Sequence, residues 1–360
     1  MNRRPSRRPA TLVAPAATGI ALLAVSACGG AGDGGRGDGG PGGGAVDAAL
    51  LDGAARDGAG PIDAGVEDDA APRDAAAGED LGAGDLGASD LGAPPGCTPS
   101  LAPGDHVREL VHGGRTRSYR LHVPPGHDGS ARVPLVLNFH GFTQTAAQQE
   151  AVTGFSALAD AEGFVVAHPS GVGNSWNGGA CCGTAESSGV DDVGFARAVV
   201  ADVAARVCVD PARVYATGFS NGGFLAHRLG CEASDLFAAV APVAGLMTLA
   251  PERCTGERLA ALQHVHGSGD LIVPYGGNPV LRYPSVADST ATWRGVLGCV
   301  GASVAERPAP NVSCETWASC TRGGPLVLCT VERGPHDWNA AGAGWPTTRR
   351  VWDFLRTHAR

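Results

Sequence analysis

Beyond residue 100 the chain switches repeatedly between two kinds of apolar spacing, and the switches predict a succession of strands and helices. Val107 to His112 and Thr116 to Val123 alternate on either side of Gly113-Gly114, the pattern of an antiparallel hairpin. Pro134 to His140 is a near-continuous apolar run, as a central strand covered on both faces requires. Ala146 to Glu162 repeats at helical spacing and leads to a strand from Phe164 to His168. Asp191 to Val207 predicts another helix, with acidic residues at its positive end. A strand from Arg213 to Phe219, a helix from Asn221 to Leu229 and strands at Phe237 to Val243 and Leu262 to His266 follow. A helix from Val286 to Leu297, a strand from Leu326 to Val331 and a last helix from Thr347 to His358 complete the succession. Such βα alternation predicts an α/β class fold: one domain around a mostly parallel, doubly wound sheet.

The first quarter of the chain lacks this patterning. Residues 1–27 place Arg3, Arg4, Arg7 and Arg8 ahead of an apolar segment from Thr11 to Val25, the layout of an export signal and not of a membrane span. The small residues before Cys28 resemble a bacterial lipobox, so Cys28 is expected to be the lipidated first residue of the mature protein, with plain signal cleavage as the alternative. Residues 28–96 are mostly Gly, Ala and Asp, with a short repeat starting at Asp80, Asp85 and Asp90, and no core can form from them. They read as an acidic, disordered tether. Most of the net charge of −9 resides there, which leaves residues 97–360 close to neutral and gives no electrostatic footprint for nucleic acid.

Of the eleven cysteines, all but Cys28 lie between Cys97 and Cys329, and in an exported domain they are expected to pair as disulfides. Cys231 with Cys254, and Cys314 with Cys320, are local pairs that the spacing permits, although spacing does not decide connectivity. Zinc is the competing use of cysteine. Adjacent Cys181-Cys182 and the wide intervals elsewhere do not make paired C-x-x-C ligand sets, so no metal is expected.

The chemistry concentrates at Gly218-Phe219-Ser220-Asn221-Gly222, where a strand runs into a serine flanked by glycines. This is the G-x-S-x-G spacing of a nucleophile elbow, a strained strand-to-helix turn in which side chains at Gly218 and Gly222 would collide with neighbouring backbone. A serine hydroxyl is a weak nucleophile and needs a base oriented by a carboxylate. His336 follows the strand ending at Val331 within a Gly-Pro turn, and Asp270 follows the strand ending near His266, so the order is Ser220, Asp270, His336. His227 is left to packing or solvent exposure and His358 to a chain end, and Asp235 and Asp288 do not directly follow a strand. Two backbone N–H groups are needed to stabilise a developing oxyanion. Asn221 and Phe142, the latter following His140-Gly141 at a strand end, are the candidates. Asp191 and Asp192 are left to helix capping and loop ordering, and Trp176 and Trp338 are candidates to stack on an acyl group or a sugar, with plain packing beside disulfides as the alternative.

With these motifs in place, residues 97–360 resemble the polyhydroxybutyrate depolymerase and feruloyl esterase family of α/β-hydrolases, akin to carbohydrate esterase family 1. The likeness is carried by Pro134 to Gly141, Ser175-Trp176-Asn177 through Cys181-Cys182, Asp191 to Phe195 and the elbow with Ala238 to Gly245. It extends to Asp270 with Pro274 to Gly277, and to His336 with Trp338. The resemblance implies a Ser220, Asp270, His336 triad that hydrolyses carboxylic esters through an acyl-enzyme without a cofactor. It also implies a polymeric or oligomeric ester substrate, with feruloyl, acetyl and hydroxybutyryl groups all left open. The chain departs from the family pattern at Gly334-Pro335-His336-Asp337-Trp338-Asn339, where a Gly-Gly-Gly-His-x-Trp-Pro-like segment is usual. A monomer at the cell surface, touching the membrane only through its N-terminal lipid, is the expected form. A catalytically silent polymer-binding lipoprotein on the same fold is the rival reading.

Overall fold

The computed structural model describes residues 101–360, so the expected export signal, Cys28 and the tether lie outside the described residues. The chain divides into units Met1–Ala76 and Ala77–Arg360, and everything described belongs to the second.

A ten-stranded sheet forms the middle layer, with strand order β1-β2-β4-β3-β5-β6-β7-β10-β9-β8. The strands β4 (Val165–Pro169), β3 (Val133–Phe139), β5 (Val209–Phe219), β6 (Ala239–Val243), β7 (Ala261–Gly267) and β10 (Leu326–Val331) run parallel. At one edge β1 (Gly104–His112) and β2 (Arg115–Val123) form the expected hairpin, with β2 antiparallel to β4. At the other edge β9 (Val312–Trp317) and β8 (Val304–Ala309) add a second antiparallel hairpin.

Alternate side chains of the parallel strands enter two separate cores. In β3, Leu135, Leu137 and Phe139 point into the core shared with α4 (Asp192–Ala204), α5 (Asn221–Glu232) and α6 (Val286–Leu297), whereas Val136 points into the one covered by α2 (Phe155–Glu162) and α7 (Thr347–Leu355). Helices on both faces explain why β3 and β6 read as unbroken apolar runs. The fold class expected from the sequence is therefore the one observed.

Three details differ from what the sequence pattern predicts. The helix expected over residues 146–162 is two helices, α1 (Ala146–Thr153) and α2, because Gly154 at φ 63° ends the first and opens the second. A short helix, α3 (Gly183–Ser187), and the hairpin β8–β9 carry no clear signal in the apolar pattern. The disulfides are Cys181–Cys182, Cys231–Cys254, Cys299–Cys320 and Cys314–Cys329, and Cys208 is disulfide-bonded as well. Cys231–Cys254 is as expected, but Cys314 joins Cys329 and not Cys320. The two face each other across the β9–β10 ladder, while Cys320 bridges to Cys299. Loops of 15 to 23 residues closed this way stabilise the fold by about 3 kcal/mol each, through the unfolded chain they restrict. This many disulfides fits folding in an oxidising, extracytoplasmic compartment.

Candidate active site

The parallel strands deliver Ser220, Asp270 and His336 to one edge of the sheet. Ser220 lies between β5 and α5, as the N-cap of the helix, with φ 54° and ψ −119°, a conformation that L-residues avoid, and its N–H donates to the Val243 carbonyl at 2.9 Å. The flanking glycines are required by contact: a Cβ on Gly218 would lie 2.5 Å from the Gly222 carbonyl oxygen, and one on Gly222 would overlap the Phe139 carbonyl. The elbow predicted from G-x-S-x-G is present.

β7 and β10 are neighbours in register, with Val331 opposite Gly267, so the loops that follow them lie side by side. Gly267 faces the Gly334 backbone so closely that a Cβ there would overlap it. From these loops His336 Nδ1 bonds Asp270 Oδ2 at 2.6 Å. The other carboxylate oxygen accepts from the Ile272 and Val273 N–H groups, both at 2.8 Å, so the Asp270 side chain is buried and fully bonded. The imidazole of His336 remains 13% exposed and packs 4.7 Å, centroid to centroid, from Phe219, the residue before the elbow serine. Among the described residues the Ser220 hydroxyl makes no hydrogen bond. The structure thus joins Asp270 to His336 and seats His336 beside the elbow, with the serine to histidine link not closed.

The loop after β3 lies across from the elbow. His140 is buried, its Nδ1–H bonded to the Gly141 carbonyl at 2.8 Å and its Nε2 accepting from Gly171 N–H at 3.0 Å. Burial pushes this imidazole down to about 4, so it is neutral at physiological pH. Gly141 N–H is held by Gln144 Oε1 at 2.8 Å, and Phe142 carries the next N–H in the loop. That N–H takes no acceptor among the described residues. Asn221, first residue of α5, likewise has a backbone N–H that no helical carbonyl can reach. Its side chain clamps the neighbouring loop, where Oδ1 accepts from Trp176 N–H at 2.6 Å and Nδ2 donates to the Trp176 carbonyl at 2.9 Å.

The two tryptophans correct an expectation. Trp176 is wholly buried, edge-on to Phe139 at 5.2 Å, with its indole N–H on the His140 carbonyl at 2.9 Å. Trp338 is 1% exposed, packs on Phe155 and donates to Thr348 Oγ1 at 2.9 Å. Neither presents a face to a ligand, because each ring is buried in the core with its indole N–H bonded internally. Asp192 is also more than a helix cap. It pairs its Oδ1 with Arg117 at 2.7 Å, an ion pair without good hydrogen-bond angles, and takes Asn177 N–H on Oδ2 at 2.7 Å. Asp191 is the N-cap of α4, accepting from Gly194 N–H.

Sequence reasoning missed His264 and His266, which with His227 form a group of buried histidines behind Asp270 and His336. The alternation of His264 and His266 in an apolar strand was the available signal. No cluster of three or more His, Cys, Asp or Glu among the described residues is arranged to hold a metal ion.

Comparison with known proteins places the chain in a family. The model of the family described as esterase PHB depolymerase matches residues 117–265. Feruloyl esterase B of Piromyces equi is 31% identical over 256 residues, which cover 67% of this chain and 45% of that protein, so the chain spans less than half of that relative. A protein of Nocardia uniformis subsp. tsuyamanensis that carries the esterase name NocK is 34% identical over 252 residues, covering 64% of this chain and 73% of that one. Among solved structures, acetyl xylan esterase from Aspergillus awamori superposes with a TM-score of 0.50 at 16% identity, over 64% of this chain and 94% of that chain, a likeness of fold. The chain belongs to the PHB depolymerase family of esterases, a family of carboxylic ester hydrolases.

Proposed function

We propose that the protein is a serine esterase in which Ser220 is the nucleophile, His336 the general base and Asp270 its orienting acid. The observation that carries this reading is the 2.6 Å bond between Asp270 and His336 directly beside the strained elbow. Asp270 accepts from Nδ1–H, which leaves Nε2 unprotonated and free to act as the base. Substrate binding brings Nε2 to the Ser220 hydroxyl, as happens commonly when free enzymes load.

In the first half-reaction Ser220 Oγ bonds to the ester carbonyl carbon while its proton passes to His336 Nε2. The oxyanion is held by the N–H groups of Phe142 and Asn221. Collapse breaks the bond to the alkoxy oxygen, which leaves as an alcohol with the proton from Nε2. Water then attacks the acyl-enzyme, gives its proton to Nε2 and releases the carboxylic acid, with that proton returned to Ser220 Oγ. No cofactor enters this scheme.

The substrate is a polymeric or oligomeric ester: a feruloyl or acetyl ester of plant polysaccharide, or a hydroxybutyrate polyester. The names of the relatives support the first two and the family description the third. Lipid attached at Cys28 would hold the enzyme at the cell surface. Turnover of p-nitrophenyl acetate by the full chain, abolished by Ser220→Ala, tests the chemistry. Equal turnover by Ser220→Ala would overturn it. Relative kcat/KM on methyl ferulate, acetylated xylan and hydroxybutyrate oligomers identifies the acyl group.

A further inference from the structure

His264 and His266 lie two residues apart on β7 and therefore point to the same face, into the core beneath α5. Both are buried, and His227 of α5 meets them there, its ring 5.0 Å from that of His264. Burial lowers the pKa of each: His227 falls to about 3, and His264 and His266 also fall below the ordinary histidine value. Neutral imidazoles have one donor and one acceptor, so the partners assign the protons. His266 Nε2 is 2.8 Å from the Val273 carbonyl, which only accepts, so Nε2 carries the hydrogen. Its Nδ1 is then an acceptor, and His264 Nε2, 3.0 Å away, must be the donor to it.

The donors of His264 and His266 thus run in sequence toward the turn that carries Asp270. The same His266 Nε2 is 3.5 Å from Asp270 Oδ2, the oxygen that holds His336. We propose that His266 is a positioning residue for the reaction: from the core side it pins the 270–273 turn through Val273 and presents an N–H edge to Asp270. This inference rests on the serine-esterase reading above and adds a residue to it. The groups facing His266 are His264 on its own strand, His227 on α5, Asp270 and the Val273 carbonyl on the next turn, and His336 on the loop after β10. The Gly245 backbone and the ring of Tyr275, 5.9 Å away, complete its surroundings.

The neutrality of His266 matters to the chemistry. A charged His266 would compete for Asp270 and repel the imidazolium that His336 becomes during turnover; burial keeps it uncharged. The effect is transmitted through Asp270, which separates it from plain packing.

Kinetics of the full chain on p-nitrophenyl acetate decide the matter. His266→Leu is expected to lower kcat by roughly 10- to 100-fold with KM changed less than about twofold. It should also move the acidic limb of kcat/KM upward by about half a pH unit or more, since Asp270 loses a neighbouring donor. His266→Gln retains an N–H donor and should recover most of both changes. In an Asp270→Asn background His266→Leu should cost less than about threefold, because the route through the carboxylate is already lost. An unaltered kcat and pH limb in His266→Leu, or an equal cost with and without Asp270, would overturn the proposal.

If His266→Leu does not fold, nitrogen-15 histidine spectra of the unaltered protein provide the answer. A neutral His266 with hydrogen on Nε2 at pH 7 is expected, and the opposite tautomer or a charged ring at that pH would overturn the proposal. Activity surviving Ser220→Ala defeats the esterase reading itself. Activity lost in Ser220→Ala but untouched at His266 defeats only this inference.

Discussion

Asp192, at the start of α4, and Asp270, after β7, are both buried carboxylates, yet each is held by a different kind of partner. Asp192 faces Arg117, whose guanidinium is itself buried and lies 3.6 Å over the Phe195 ring. Burial raises the Asp192 pKa and the Arg117 charge opposes it, while burial lowers that of Arg117. A permanent cation makes this pair a fixture. It ties β2 to α4 and, through Asn177 N–H, steadies the segment whose Trp176 backbone is clamped by Asn221. Asp270 instead faces a histidine on a loop, partly exposed and able to gain a proton. The difference separates a buried acid closed by an arginine, which is scaffold, from one closed by a histidine at the surface, which is the one proposed as machinery.

The sharpest way to break the comparison is to remove each charge without removing its shape. Asp270→Asn keeps an acceptor for the Ile272 and Val273 N–H groups but offers His336 an amide that favours the wrong tautomer. Its kcat is expected to fall on the order of 10⁴-fold, with urea stability little changed. Asp192→Asn should do the reverse, because the Arg117 charge stays buried with no counter-ion. A loss of about 3–5 kcal/mol in urea unfolding is expected, with kcat per folded molecule within a few-fold of the parent. If the two variants lose activity and stability in equal proportion, the division between scaffold and machinery does not hold.

A smaller effect concerns His140, which belongs to the scaffold although it stands beside the oxyanion loop. Burial, and to a lesser degree the Arg117 charge, holds its pKa at about 4. Below pH 6.5 the unfolded chain binds a proton that the folded chain refuses until about pH 4. The neutral ring therefore contributes stability that is present above pH 6.5 and lost as pH falls through that window, by about 1.4 kcal/mol per pH unit. His168, at about 4, and His227, at about 3, act in the same direction. His140→Gln should flatten the slope of urea stability against pH between 4.5 and 6.5 by that amount. An unchanged slope would mean that the ring is already charged in the folded protein.

Local signals make most of this legible in the sequence. The two-sided apolar runs of β3 and β6, the hairpin around Gly113-Gly114 and the G-x-S-x-G turn all report backbone states that neighbouring residues enforce. Asp270 and His336 are readable because each follows a strand, and parallel strands in register deliver such loops to one edge. What depends on distant partners is not readable. Val304–Ala309 is almost entirely exposed and is followed by Pro310, so β8 carries no apolar period and is a strand only because β9 pairs with it. Cys314 finds Cys329 through ladder register, and Asp192 finds Arg117 through the packing of α4 on the sheet. For Trp176 and Trp338 the sequence leaves stacking on a substrate and plain packing both open, and only the aromatic partners brought by distant elements decide for packing.

The smallest expected effect sits at Phe142, where scaffold and machinery share one residue. Its ring is 45% exposed and leans on Gly183, where an added Cβ would approach within 2.5 Å, so the side chain contributes modest packing. Its main-chain N–H is the part assigned to the oxyanion. Phe142→Ala removes the ring and keeps the donor. A loss of about 1 kcal/mol in stability and less than about threefold in kcat is expected. A 100-fold loss in kcat with stability retained would place the ring in the substrate's path, and the boundary drawn between packing and chemistry would then have to run through this side chain.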